Sequence, residues 1–111
     1  MALTSSIIGN TNTTIYTSTI SGSQTGNAIT CMMICNYGAS AANVTIYAVP
    51  NNAGAVGTPG NTNMIISALT IPVGETVSLD QEKLVLSSND TIVAVSTVAS
   101  TLSMTISTLP V

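Results

Sequence analysis

The sequence predicts an all-β fold: a single antiparallel β-sandwich, jelly-roll or immunoglobulin-like, with seven or eight strands and an extended N-terminal arm. Residues that favour turns recur roughly every eight to fifteen positions, as in sandwiches and barrels. The segments between them are short, rich in Ile, Val, Thr and Tyr, and without the 3.6-residue period of a helix. A chain of 111 residues fits one domain with one core.

Residues 1–13 form the predicted arm, and residues 14–111 form the sandwich domain. The arm is polar except for one apolar pair, Ile7 and Ile8. It lacks the basic start and long apolar run of a secretory leader. We therefore expect the arm to extend from the domain and to reach a neighbouring protein.

The strand predicted at residues 28–36 is the most apolar segment. Strict alternation of side chains puts Cys31 and Cys35 on one face and Met32 and Ile34 on the other. The two cysteines are about 13 Å apart along such a strand, beyond the ~7 Å that a disulfide tolerates. We interpret them as small buried hydrophobic residues, in keeping with a reducing site of synthesis.

The remaining strands follow from alternation and from their turns. A polar, Gly- and Pro-rich stretch at 50–63 is predicted to be a long connector, and Pro72 to Gly74 a tight turn. A short apolar piece at 84–86 is the eighth strand if it pairs. The other predicted strands are 14–18, 43–49, 64–71, 75–80, 91–98 and 102–108.

Charged residues make up only 5% of the chain, whereas a soluble domain carries about a quarter. Its net charge is −3, and the single cation is Lys83. Binding to a nucleic acid backbone needs several Lys or Arg side chains, so nucleic acid is excluded as a partner. No segment approaches the ~20 apolar residues of a membrane span, so no membrane partner is expected.

The side chains that carry most enzymatic chemistry are missing. The chain has no His, so the base that activates a Ser or Cys nucleophile is absent, and we predict no enzyme activity. Two cysteines cannot close a four-ligand zinc site, and neither metal nor cofactor is expected. Paired carboxylates can perform acid–base chemistry or bind Ca²⁺, but Asp80, Glu82 and Asp90, beside Lys83, are better explained as a solvated corner.

Carbohydrate binding is a weaker hypothesis. Lectin sites usually include an aromatic platform, and the chain has three tyrosines and no other aromatic residue. Tyr37 is the one candidate, together with the loop 50–63. A tyrosine that covers the end of the sandwich, with its hydroxyl in water, explains Tyr37 better, so a glycan partner is not expected.

Two predicted strands carry apolar residues on both faces, although a two-layer sandwich buries only one face of each sheet. The residues in question are Met32 and Ile34 in one strand and Val93 and Val95 in the other. Burying each against a neighbour would contribute about 1.5 to 3 kcal/mol before association costs. With Ile7 and Ile8 of the arm, they form the predicted interface of a homo-oligomer, unless the arm or the long loop folds back over them.

Four segments carry a resemblance to a known class of proteins: TIYT at 14–17, NVTIYAVP at 43–50, IPVGET at 71–76 and EKLVLSSNDTI at 82–92. In this order and spacing the chain resembles small β-sandwich virion structural proteins of tailed bacteriophages, notably cyanophages. The resemblance implies many copies on the particle and localisation to the virion.

The leading hypothesis is thus a non-enzymatic capsid cement or decoration protein. It would stabilise the phage head through contacts with itself and with other virion proteins, chiefly the major capsid protein. A component of the neck, tail, baseplate or fibre attachment is the first alternative. A carbohydrate-binding module at a fibre tip is the second.

Overall fold

The computed structural model describes residues 2–79 and 84–111. In these residues it contains nine β-strands and one short 3₁₀ turn, Asn61–Asn63. The strands are β1 Ala2–Ile8, β2 Thr13–Thr17, β3 Asn27–Asn36, β4 Ala42–Val49, β5 Met64–Ile71, β6 Thr76–Leu79, β7 Leu84–Leu86, β8 Thr91–Ser96 and β9 Leu102–Pro110.

Two antiparallel sheets pack face to face, which confirms the predicted sandwich. The front sheet has the order β1-β9-β3-β6. Strand β7 also pairs with β3, along a different part of it from β6. The back sheet has the order β2-β8-β4-β5. Chain neighbours β1 and β2, β3 and β4, and β8 and β9 lie in opposite sheets, and this wrapped order is that of a jelly roll rather than an immunoglobulin domain.

Residues 2–8, expected to be part of a free arm, form the edge strand of the front sheet. Strand β1 pairs with β9 over its whole length, from Ala2 opposite Thr108 to Ile8 opposite Leu102. The prediction of seven or eight strands was therefore one short within the described residues. The paired strand is more stable than a free arm because pairing with β9 satisfies backbone hydrogen-bonding groups on one side of the segment. Ile8 also becomes completely buried.

The core lies between the sheets and follows the predicted alternation in most strands. Val44 and Ile46 of β4 are fully buried, and Val77 and Leu79 of β6 pack against the core as expected. In β9 the inward residues Leu102, Met104 and Ile106 are also 0% exposed. Further core members are Ile15, Ile29, Met32, Ile34, Ala42, Ile71, Leu86, Ile92 and Ala94.

Strand β3 departs from strict alternation. Ile29 is opposite Thr108 in β9, whereas Cys31 is opposite Ser107, so Thr30 is an extra residue and forms a β-bulge. A bulge reverses the side-chain alternation beyond it. Ile29 therefore shares the inner face with Met32 and Ile34, whereas strict alternation would place it on the face of Cys31 and Cys35.

The connections match the sequence interpretation where the structure describes them. The backbone N–H of Glu75 donates to the carbonyl of Pro72 over 3.2 Å, and Gly74 has φ +77°, as the third residue of a type II turn requires. The segment 50–63 is a connector that contains a small turn closed by Asn52 and Ala55. Residue 80 of the strand predicted at 75–80 lies outside the described residues.

Candidate assembly surface

The outer surface of the front sheet, called the front face below, is assembled from cross-strand rows. The middle row runs from Ser5 through Thr105 and Met33 to Ser78. Two flanking rows are Leu3, Ser107 and Cys31, and Ile7, Ser103, Cys35 and Thr76. Directly paired residues lie on the same side of an antiparallel sheet, so these rows form one continuous surface.

Large apolar side chains are exposed across the front face. Leu3 is 73% exposed, Ile7 55% and Met33 44%. Near the other end of the sheet Ala28 pairs with both Val85 and Leu109, which are 66% and 41% exposed. Single exposed hydrophobic residues are common, but several on one sheet face indicate a contact surface.

The described strands of the front sheet carry no charged side chain. Polar groups on the front face are hydroxyls and thiols, such as Ser5 Oγ, which lies 3.2 Å from Thr105 Oγ1. Such a surface can be dehydrated without burying a charge, a cost that would otherwise oppose association.

The predicted interface residues separate into two groups. Met32, Ile34 and Ile8 are 1%, 0% and 0% exposed, so they pack inside the sandwich and are unavailable to a neighbour. The inward register that follows the bulge at Thr30 corrects the assignment of Met32 and Ile34 as surface residues, and Ile8 is buried where β1 ends against β9. Ile7 is exposed on the front face, as an interface residue must be.

Val93 and Val95 lie on the outer surface of the back sheet, far from the front face. Val93 is paired with Tyr47 on one side and Thr14 on the other, and only 4% of it is exposed. Val95 is opposite Thr45 and is partly buried. The back sheet thus covers Val93 with its own neighbouring strands.

Cys31 and Cys35 are partly exposed on the front face rather than buried in the core. They are opposite Ser107 and Ser103, four residues apart along the strand, and both thiols are free. The register agrees with the expectation that they cannot bridge each other. The Sγ atom of Cys31 lies 3.7 Å from Ser78 Oγ.

Asp90, the residue immediately before β8, has a structural role. Its carboxylate accepts hydrogen bonds from the backbone N–H of Asn51 over 2.7 Å and of Ser87 over 2.8 Å. The Asn51 side-chain amide adds a third at 3.1 Å. Asp90 therefore fastens the start of the long connector to the turn before β8.

The other members of the predicted acidic corner, Asp80, Glu82 and Lys83, lie outside the described residues. Within 2–79 and 84–111, no three His, Cys, Asp or Glu residues are grouped so as to hold a metal ion. In the same residues no helix has the length and apolarity that a membrane crossing requires.

The structure does not bring together the two parts of the conceivable glycan site. Tyr37 is 50% exposed, and its backbone N–H donates to the carbonyl of Thr101, next to the start of β9. The connector 50–63 begins beside Asp90, at the other end of the sandwich. Tyr37 and the loop therefore offer no shared surface to a sugar.

One apolar cleft of about 220 Å³ opens between β5 and the β6 and β7 edge. Among the described residues, the lining side chains carry no hydroxyl, amide or charged group that could orient a substrate. Leu79 and Leu84 are part of the lining and flank residues 80–83, which the structure does not describe. The lining residues are Met32, Ile65, Ile66, Leu79 and Leu84.

No protein-family model and no curated protein sequence matches this chain. Among solved structures, the chain is similar to a protein of Bacillus endospore appendages, described as a family of disulfide-linked pili. The TM-score is 0.52 at 19% identity, over 95% of this chain and 80% of the other. This likeness extends over nearly the whole chain and supports the sandwich fold.

A weaker likeness is to a chain of infectious bursal disease virus, Gx strain. It has a TM-score of 0.42 and 13% identity and covers 97% of this chain but 29% of the viral one. At this TM-score the likeness does not define a common topology.

Proposed function

We propose that this chain is a non-enzymatic structural subunit of a phage virion, a cement or decoration protein that docks on the major capsid protein. The observation that carries the proposal is the apolar front face, on which the described strands carry no charged side chain. The exposed apolar residues are Leu3, Ile7, Met33, Val85 and Leu109. A face whose described side chains are uncharged suits permanent burial. A site for catalysis would instead gather titratable groups.

Burial of the front face would offset much of the free-energy cost of association. Full burial of a large apolar side chain contributes about 1.5 to 3 kcal/mol. Five such side chains, each already partly covered, together approach the ~4 to 15 kcal/mol that association costs in lost motion. Contacts between neighbouring copies on the shell would supply the remaining free energy.

Purified virions test this proposal directly. Quantitative mass spectrometry should find this chain in amounts comparable to the major capsid protein, and a density map should place the front face against the shell. Capsids made without it should bind the added protein and should resist heat better afterwards.

A matched pair of variants assigns the contact to the front face. Met33→Lys places a charge in its middle row and should weaken capsid binding at least tenfold, whereas Thr14→Lys on the exposed back of β2 should not. Equal loss from both variants, or particles without this chain, would contradict the proposal.

Assembly into a polymeric appendage, or into the neck, tail or fibre attachment, is the second candidate. The fold likeness to the disulfide-linked endospore pili favours it, together with the outward position of Cys31 and Cys35. A few dozen copies or fewer per particle would replace the capsid assignment with this one. If disulfides link the subunits, gels of the native assembly without reductant should show ladders that reductant abolishes.

A further inference from the structure

The four edges of the two sheets differ in how they are protected from pairing with another chain. The β2 edge has a bulge between Thr14 and Tyr16. The β5 edge has two register shifts, and Ala68 adopts φ +52°. The remaining front-sheet edge consists of the short strands β6 and β7. Bulges and short strands are recognised ways of blocking edge-to-edge association.

Strand β1 has none of these protections. Its seven residues, ALTSSII, contain no proline and no charge, and its register with β9 has no shift. Strand β9 is its only sheet neighbour among the described residues, so one side of its backbone remains open. Such an edge is a ready template for strand addition.

The sequence of β1 is complementary to itself about Ser5. When two copies pair antiparallel with Ser5 opposite Ser5, Leu3 meets Ile7 and Thr4 meets Ser6. Leu3 and Ile7 lie on the same outer side of the strand and are 73% and 55% exposed in the single chain. Each would then be covered by the other, as in an apolar cross-strand pair.

We propose that β1 is a self-association edge: two copies of this chain pair antiparallel through β1 about a two-fold axis at Ser5. The two five-stranded front sheets then form one continuous sheet across the dimer. The proposal deepens the proposed function by naming the first partner of the subunit, a second copy. The dimer presents two front faces side by side, so that Met33, Val85 and Leu109 of both copies are offered to the capsid.

Disulfide trapping tests the register. Directly opposite residues in an antiparallel pair have Cα atoms about 4.5 to 5.5 Å apart, within the range of a disulfide. In a background with Cys31→Ser and Cys35→Ser, Ser5→Cys should give a covalent dimer on mild oxidation. Ile7→Cys, on the same strand and face, is the matched control, because its two copies would be about 13 Å apart.

Mixtures of two cysteine variants give a second test of the register. Leu3→Cys and Ile7→Cys chains should cross-link to each other but not to themselves, since these positions face each other only between copies. Cross-linking of Ile7→Cys with itself as readily as Ser5→Cys would overturn the proposed register.

Charge exchange tests the interaction without cysteines. The native chain should sediment as a dimer, and Leu3→Lys with Ile7→Lys should shift the equilibrium toward monomer at least tenfold by placing lysines opposite each other. Leu3→Lys with Ile7→Glu should restore the dimer, since each lysine then faces a glutamate. Val56→Lys with Val73→Lys, at exposed loop positions, controls for lost apolar surface and should remain dimeric.

Circular dichroism of every variant should show the native β spectrum, because the substituted side chains are exposed or partly exposed. A native chain that remains monomeric at high concentration, or one that forms open polymers, overturns the two-fold pairing. Either result leaves the proposed function intact if the chain is still abundant in virions. A dimeric chain that is absent from virions instead supports the pairing and rejects the function.

Discussion

The outer faces of the two sheets are built from similar alternating strands but differ in what they expose. The front face exposes large apolar side chains, among them Met33 in the middle strand β3. The back face presents threonines such as Thr45, and its Val93 is 4% exposed beside Tyr47. A strand that is apolar on both faces therefore does not by itself mark an interface, because its neighbours in the sheet can cover it.

The largest expected difference in stability is between substitutions on the inner and the outer face of the front sheet. Ile34→Ala should lower the free energy of unfolding by about 2 to 5 kcal/mol, because the side chain is fully buried. Met33→Ala, one residue earlier on the exposed side, should change it by about 0.5 kcal/mol or less. Urea denaturation of both variants gives the comparison, and equal effects would contradict the register of β3.

An intermediate effect on stability is expected when the same substitution, Val to Ala, is made on each of the two outer faces. Val93→Ala on the back should cost about 1 to 2 kcal/mol of stability, because two buried methyl groups are removed. Val85→Ala on the front should cost about 0.5 kcal/mol or less, since Val85 is 66% exposed. Thermal unfolding measures both, and a larger loss for Val85 would invert the distinction between the faces.

The smallest effect concerns the cysteines of the front face. Because both thiols are partly exposed, they should react with an alkylating reagent in the folded protein without denaturant. Replacing both by Ser should change stability by about 0.5 kcal/mol or less. Labelling that occurs only after unfolding would show that these side chains are buried. Protection from labelling in intact virions alone would instead place the front face in a contact.

Local patterns in the sequence predicted most strands and the inward side of several. Alternation in β4 and β9 identified Val44, Ile46 and Met104 as core residues, and these are fully buried. The fold class followed because short β-rich segments between frequent turns have few other ways to bury their apolar residues. The chemistry of the candidate surface was indicated only coarsely, by the scarcity of charge and the suspicion of an apolar face.

What the sequence by itself determined is the all-β class, the turns and the scarcity of charge, because these depend on residue type and local spacing. The tertiary structure decided two further features. Residues 2–8 became a strand through pairing with β9, about one hundred positions away, where Ser5 lies beside Thr105. The bulge at Thr30 turned Met32 and Ile34 inward and Met33 outward. Neither follows from a local pattern, since long-range pairing sets the register, and a one-residue shift moves every later side chain to the opposite face.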